Sequence, residues 1–177
     1  NTKAFIIVGL SVILLGVAIR VTTIGLEYII RGGKKRKIYA ESLVTGGIYS
    51  ICRNPMYIGN LLILLGFGLF ANSLFFVLLC FPVMVFIYWA IIRAEEAFLQ
   101  EQFKEEFLQY KSEVPSLFPA VHKIGKAFKG YRFNCQRVIS KEYNSLFLYA
   151  VGILVITYQK HLLVMSGWAW GLLFLLL

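Results

Sequence analysis

The chain has 177 residues, of which 59% are apolar and only 15% are charged. Soluble domains hold about 45–50% apolar and about 25% charged residues, so this composition excludes an ordinary soluble fold and a disordered chain. The 18 lysine and arginine residues against 9 acidic residues give a net charge of +9, but the cations lie in blocks between apolar runs. That distribution indicates a membrane protein with one basic side, not a nucleic-acid-binding protein.

The first predicted element is a membrane-spanning helix over residues 4–30. This run is apolar except for Arg20, Glu27 and a few small polar residues. At about 1.5 Å per residue it is long enough to cross a hydrocarbon core of about 30 Å. The segment 31–37 follows with five cations, which predicts that this end of the helix faces the cytoplasm.

A helical hairpin is predicted next. Residues 56–92 contain no charged side chain, and this stretch is too long for one span but suits two short ones. Asn72 and Ser73 lie near its middle, so we expect helices over 56–71 and 74–92 joined by a polar turn on the far side of the membrane.

After the hairpin the sequence becomes amphipathic. Between residues 93 and 113 apolar side chains recur every three or four positions, which predicts a helix lying on the cytoplasmic membrane surface or against the bundle. Pro115 and Pro119 are expected to end it. The apolar positions are Leu99, Phe103, Phe107 and Tyr110.

The last part of the chain is a basic linker followed by two apolar runs. Residues 145–158 and 162–177 are predicted to form a second short hairpin, with Lys160 and His161 at its turn. The predicted fold is therefore an all-α integral membrane protein with about five transmembrane helices, two of them as short hairpins, plus a cytoplasmic amphipathic helix. We expect one domain over 1–177, with a core motif in 41–119 and a linker and hairpin in 120–177.

Two polar segments stand at the membrane boundary. The first, residues 45–60, contains Arg53-Asn54-Pro55 directly before an apolar helix. Pro55 suits the first helical turn, and the free amides after it, beside the arginine, would favour an anionic group. The second segment is 93–96, at the other end of the hairpin. If the hairpin turns back on itself, the two segments meet at one membrane depth.

Each of these residues also has a plainer interpretation. Arg53 could contact lipid phosphates, and Tyr49 and Tyr57 could be interfacial aromatic side chains. One of Glu95 and Glu96 could be an ordinary charge on the helix surface. The three cysteines and two histidines are scattered, and their spacing predicts neither a disulfide framework nor a metal site.

The motif residues nevertheless follow a recognisable order. They read Gly47-Ile48-Tyr49, then Arg53-Asn54-Pro55-Met56-Tyr57-Ile58-Gly59, then the hairpin and Glu95-Glu96-Ala97-Phe98-Leu99. This order resembles the isoprenylcysteine carboxyl methyltransferase family and the related phospholipid N-methyltransferases. Asn54 stands where many members have histidine. Bacterial members with Arg-Asn-Pro share this asparagine.

The resemblance implies S-adenosylmethionine as the methyl donor, bound from the cytosol. Arg93 would orient an acidic acceptor, and Glu96 would serve as the base for an amine acceptor; these two are the candidate catalytic residues. No metal is implied. The residues implied to contact the cofactor are Tyr49, Arg53, Asn54, Pro55, Met56, Tyr57, Gly59, Glu95 and Glu96.

The resemblance further implies a lipophilic acceptor, such as a prenylated cysteine or an aminolipid, entering sideways from the membrane lipids. The location would be a bacterial inner membrane, or the endoplasmic reticulum in a eukaryote, with the site facing the cytoplasm. Glycine-rich spans would allow a homodimer. Two other hypotheses are a sterol-reductase-like membrane enzyme using NADPH, and a non-enzymatic scaffold or transporter subunit. Transporters place polar residues near mid-membrane, whereas the central hairpin carries no charge.

Overall fold

The computed structural model describes residues 2–27 and 42–175, with side chains up to residue 161 except at positions 2 and 126. Within these ranges the chain is helical and contains no strand, which confirms the predicted all-α class. The cationic segment 31–37 lies outside the described residues.

The first two helices, α1 (Thr2–Leu26) and α2 (Pro55–Ala71), pack closely along their lengths. Glycines make this approach possible. A Cβ added at Gly16 would lie 2.7 Å from the backbone oxygen of Gly59 on α2. Nearer the other end of the pair, a Cβ at Gly66 would lie 2.9 Å from the oxygen of Gly9. The two helices are therefore antiparallel, with backbone against backbone.

The predicted hairpin after α1 is confirmed. Asn72 follows α2 in the left-handed conformation, with φ of 55°, and its N–H donates to the carbonyl of Leu69 at 2.9 Å. Asparagine tolerates this conformation, so it ends the helix where an apolar residue would be strained. The chain turns at Ser73 and resumes as a helix at residue 74, passing through a π-helical turn at Phe76–Cys80 into α3 (Phe81–Glu113).

The predicted amphipathic helix over 93–113 is the second half of α3, because no proline or glycine separates it from the apolar half. Its axis is broken instead at Lys104, where φ is 42° and ψ is −115°. Beyond this break Phe107 and Tyr110 are buried together with Val114. The helix ends at Glu113, two residues before Pro115, as the prolines predict.

Short helical turns follow, a 3₁₀ turn at Val121–Lys123 and α4 (Ile124–Phe128), before α5 (Cys135–Leu175). The predicted second hairpin is wrong, because α5 runs through Lys160 and His161 without interruption. Lysine and histidine both accept helical backbone geometry, and α5 contains no proline, so two polar residues between apolar runs are not enough to make a turn.

Three described helical segments are long and apolar enough to cross a membrane: 3–26, 76–113 and 135–161, while α2 is a shorter apolar helix. The predicted total of five spans depended on the second hairpin. Contacts divide the chain into two units, residues 1–139 and 140–177. All of the predicted site residues belong to the first unit.

Candidate functional site at the start of α2

The site is built on the turn that precedes α2. Gly47 has a φ of 53°, a conformation open to glycine at little cost, and it begins a 3₁₀ turn over Gly47–Ser50. The chain then reaches Pro55, the first residue of α2, where its lack of an N–H costs no hydrogen bond. This local geometry presents the side chains of Arg53 and Asn54 at the start of the helix.

Residues 114–120, here called the strap, run alongside this turn in extended contact. The N–H of Arg53 donates to the carbonyl of Pro115 at 2.9 Å, and that of Asn54 donates to the carbonyl of Ser116 at 3.1 Å. The N–H of Ala120 in turn donates to the carbonyl of Ile51 at 2.9 Å. The strap is thereby fixed across the end of the α2–α3 hairpin.

Glu96 is the centre of the site. Its Oε1 accepts from Nε and Nη2 of Arg53, at 3.1 and 3.0 Å, and from Nδ2 of Asn54 at 3.2 Å. The hydroxyl of Ser116 on the strap donates to the same oxygen at 2.9 Å. The side chains of Arg53 and Glu96 are only 9% and 7% exposed, so this is a nearly buried ion pair that depends on its additional hydrogen bonds.

Arg53 also caps the C-terminal end of α3. Its Nη1 donates to the carbonyls of Lys111 and Val114, the former at 3.0 Å. Carbonyls in the last turn of a helix have no partner within the helix, and a cation suits the negative end of the helix dipole. One guanidinium group therefore joins the start of α2, the carboxylate of Glu96 and the end of α3.

Tyr57 and Glu95 form a second polar contact beside the first. The hydroxyl of Tyr57 donates to Oε1 of Glu95 at 2.7 Å. The ring of Tyr57 also packs against that of Tyr88, with centroids 5.4 Å apart and planes inclined by 51°. The adjacent glutamates Glu95 and Glu96 thus have different partners.

A cavity of about 280 Å³ opens between α3 and the strap. Its wall includes both charges of the ion pair and a further arginine, Arg93, which is exposed. Aromatic side chains complete it. The lining residues include Arg53, Trp89, Arg93, Glu96, Ser116 and Phe118.

Cys52, next to Arg53, is fully buried, and its Sγ donates to the carbonyl of Ser116 at 3.3 Å. Burial raises the pKa of this thiol to about 11, because desolvation disfavours the thiolate. A neutral, enclosed thiol is no nucleophile, so Cys52 helps to hold the strap in place.

The structure thus brings together five of the predicted site residues, in two contacts: Arg53, Asn54 and Glu96 in one, Tyr57 and Glu95 in the other. Arg93 lies on the same cavity. Pro55 begins α2 directly after Asn54.

The remaining predicted residues are placed differently. Gly59 faces α1, where an added Cβ would lie 2.6 Å from Cγ of Arg20. The absence of a side chain at Gly59 therefore lets helix α1 approach closely, and not the cofactor as expected. Tyr49 is buried, and its carbonyl accepts from the hydroxyl of Tyr110 at 2.7 Å. Met56 is half-buried and is not part of the cavity wall.

Sequence reasoning missed the contribution of the strap. Ser116 supplies a hydroxyl and a carbonyl to the site, and Phe118 lines the cavity. The prolines at 115 and 119 were a usable signal, because two prolines around a three-residue segment predict extended backbone. Trp89 gave no signal, because it is one of many aromatic residues in an apolar run.

These features define the class of protein. It is an integral membrane protein of long apolar helices, with a polar cluster that joins the start of α2 to α3. The chain belongs to the phospholipid methyltransferase family, whose model matches residues 4–106. Membership of this family confirms the resemblance drawn from the motif.

The curated relatives include two resistance proteins and several methyltransferases. The chain is 40% identical over 79 residues to the cobalt-zinc-cadmium resistance protein CzcN of Cupriavidus metallidurans, covering 45% of this chain and 36% of that one. It is 34% identical over 80 residues to the nickel-cobalt-cadmium resistance protein NccN of Alcaligenes xylosoxydans xylosoxydans, covering 45% and 37%.

A third relative is the protein-S-isoprenylcysteine O-methyltransferase of Mus musculus, 32% identical over 96 residues, covering 50% of this chain and 31% of that protein. The chain therefore matches only about a third of the length of these relatives. No solved structure matches it.

Proposed function

We propose that this protein transfers a methyl group from S-adenosylmethionine to a lipophilic acceptor at the cytoplasmic boundary of the membrane. The acceptor is the carboxylate or amine of a prenylated or lipid substrate. One observation carries the proposal: Arg53, Asn54 and Ser116 converge on one oxygen of Glu96, on the wall of a cavity that also contains Arg93 and Trp89.

The polar groups on this cavity fit the methionine end of the cofactor. All four hydrogen bonds of Glu96 recorded in the described chain end on Oε1, so Oε2 keeps its capacity to accept from an ammonium group. Arg93 offers a guanidinium to a carboxylate. Trp89 is 52% exposed, and an aromatic face attracts a cation such as a sulfonium.

The size of the cavity agrees with partial enclosure of the cofactor. Its 280 Å³ is near the lower end of the roughly 300–1,000 Å³ typical of small-molecule sites. The cavity opens beside apolar helix surface, which suits an acceptor that arrives from lipid.

The cofactor supplies an activated methyl group, so the chain needs mainly to align the reactants and exclude water. The Arg53–Glu96 pair fixes the floor of the site, and the strap covers it. A carboxylate acceptor needs no base, and Arg93 would orient it. An amine acceptor would pass its proton to a carboxylate, for which Glu96 is the candidate.

Binding of S-adenosylmethionine to the purified protein tests this proposal. We expect the parent protein to bind, and Arg53→Ala and Glu96→Ala each to weaken binding by about 10- to 100-fold, the range for lost charged hydrogen bonds. Glu96→Gln keeps the shape of the side chain, and Arg93→Ala removes an exposed charge without disturbing the ion pair. Glu101→Ala, an exposed glutamate on the same helix, is the matched control.

Two outcomes would count against the proposal in different ways. Unchanged binding in both alanine variants would show that the site is elsewhere. No binding by the parent protein would contradict the proposed function itself and would favour a nicotinamide-dependent reductase or a non-enzymatic role. The acceptor can be found by incubating membranes with a labelled methyl donor and identifying the labelled lipid by mass spectrometry.

A further inference from the structure

The first unit has a second surface, formed by the segment that follows the strap along the chain and precedes α5. It consists of residues 121–132 and is called here the linker surface. Its side chains Val121, Ile124 and Phe128 are 68%, 51% and 48% exposed. Their spacing of three and four residues along the helical turns puts them on one side, and Phe118, on the neighbouring strap, is 87% exposed.

The linker surface is also strongly basic. It contains four lysine and arginine residues, and no acidic residue occurs between Glu113 and Glu142. Lys129 and Arg132 are exposed, and neither side chain forms an ion pair or hydrogen bond with any described residue. An exposed apolar face therefore alternates with cations that are free to bind an anion.

This segment is nevertheless held against the rest of its unit. Ala127 is fully buried, and the hydroxyl of Tyr131 lies where a side chain at position 46 would begin. One side of the segment is thus packed against its own unit, and the exposed apolar and basic side chains lie on its other side.

The neighbouring elements indicate what covers this surface. The chain enters the segment from α3 and leaves it into α5, and both helices contain candidate membrane spans. Polybasic segments next to spans are attracted to anionic lipid headgroups, and apolar side chains between the cations insert at the headgroup boundary. A soluble acidic partner would match the charges but would leave the apolar residues without an explanation at this membrane-proximal position.

We propose that the linker surface binds an anionic lipid leaflet, with Val121, Ile124 and Phe128 entering the interface and Lys129 and Arg132 contacting lipid phosphates. This inference does not depend on the proposed methyl transfer. It also puts the mouth of the cavity, through Phe118, at the level of the lipid headgroups.

Hydrogen–deuterium exchange of the whole protein in nanodiscs tests the inference. We expect the amides of residues 121–132 to exchange at least about fivefold more slowly in nanodiscs containing phosphatidylglycerol than in phosphatidylcholine alone, fivefold being the effect of about one cation. High salt should remove most of the difference, because it screens the contact.

Charge variants with a matched control complete the test. Lys129→Gln/Arg132→Gln should lose most of the lipid-dependent protection, whereas Lys3→Gln/Lys160→Gln, which removes the same charge near the ends of other apolar segments, should keep it. Equal exchange in neutral and anionic nanodiscs would overturn the proposal, and so would equal loss of protection in both double variants. Since the nanodisc scaffold protein is the same in both lipid compositions, protection that depends on the lipid also excludes the need for an acidic protein partner.

Discussion

At the scale of single residues, the site depends on one nearly buried carboxylate. Glu96 receives four hydrogen bonds, two of them from Arg53. Removing one member of a buried ion pair leaves an uncompensated charge, which typically costs about 3–5 kcal/mol. The sequence could predict that the segments containing Arg53 and Glu96 meet, because both border the same hairpin, but the ion pair between them comes from the structure. The sequence could not show that Ser116 would complete the set.

Cys52 provides a test of this buried arrangement. With its pKa raised to about 11, only about one thiol in a thousand is ionised near pH 8. We expect iodoacetamide to leave Cys52 unmodified while it alkylates Cys135, which is exposed. Mass spectrometry of peptides from the folded protein measures both. Equal modification of the two cysteines would show that the strap does not cover Cys52.

The same shift sets a pH dependence of stability. The folded-state pKa of Cys52 exceeds its ordinary value of 9.0, so the stabilisation from the neutral thiol is complete below about pH 9. It is lost as the pH rises toward 11, because the unfolded chain then releases the proton first. Cys52→Ala should flatten this part of the alkaline unfolding profile.

At the scale of elements, close helix contact and turn residues decide the hairpin. The turn at Asn72 was predictable because two adjacent polar residues interrupt a long apolar run, and asparagine accepts the left-handed conformation. The pairing of α1 with α2 was not, because many glycines in the apolar runs could serve as contacts. Only the structure shows that Gly16 faces Gly59.

Gly16→Ala tests that contact. Its Cβ would lie 2.7 Å from the backbone oxygen of Gly59 and 3.0 Å from the backbone nitrogen of Ile63. Backbone atoms cannot rotate away, so the helices must separate. We expect a loss of about 1–3 kcal/mol in the free energy of unfolding, the usual cost of overpacking. Denaturant titration in detergent measures it.

Gly125→Ala is the matched control. A Cβ there meets no atom within 4 Å, and alanine favours the helical conformation of α4, so stability should stay the same or rise slightly. Equal losses in the two variants would mean that the α1–α2 contact is not as close as described.

At the scale of the whole molecule, the continuity of α5 changes the expected topology. A hairpin over 145–177 would return the chain to the side where it began. A single helix over Cys135–Leu175 is about 60 Å long at 1.5 Å per residue, which exceeds a hydrocarbon core of about 30 Å. Its two ends should therefore lie on opposite sides of the membrane.

An epitope tag appended after residue 177 tests this topology. In sealed, oriented vesicles of a Cys80→Ser variant, an impermeant maleimide should reach Cys135 from one side, and a protease should remove the tag only from the other. Access to both from the same side would restore the hairpin that the sequence predicts.

By itself, the sequence determined the helical membrane class, the central hairpin and the meeting of the segment around Arg53 with the segment 93–96. These follow from local hydropathy, from turn residues and from the geometric necessity that a hairpin returns to the side where it began. Only the tertiary structure decided the roles of Ser116, Gly59 and the unbroken α5. Their partners lie at distant positions or along an uninterrupted backbone, and such contacts are set by packing that no local pattern encodes.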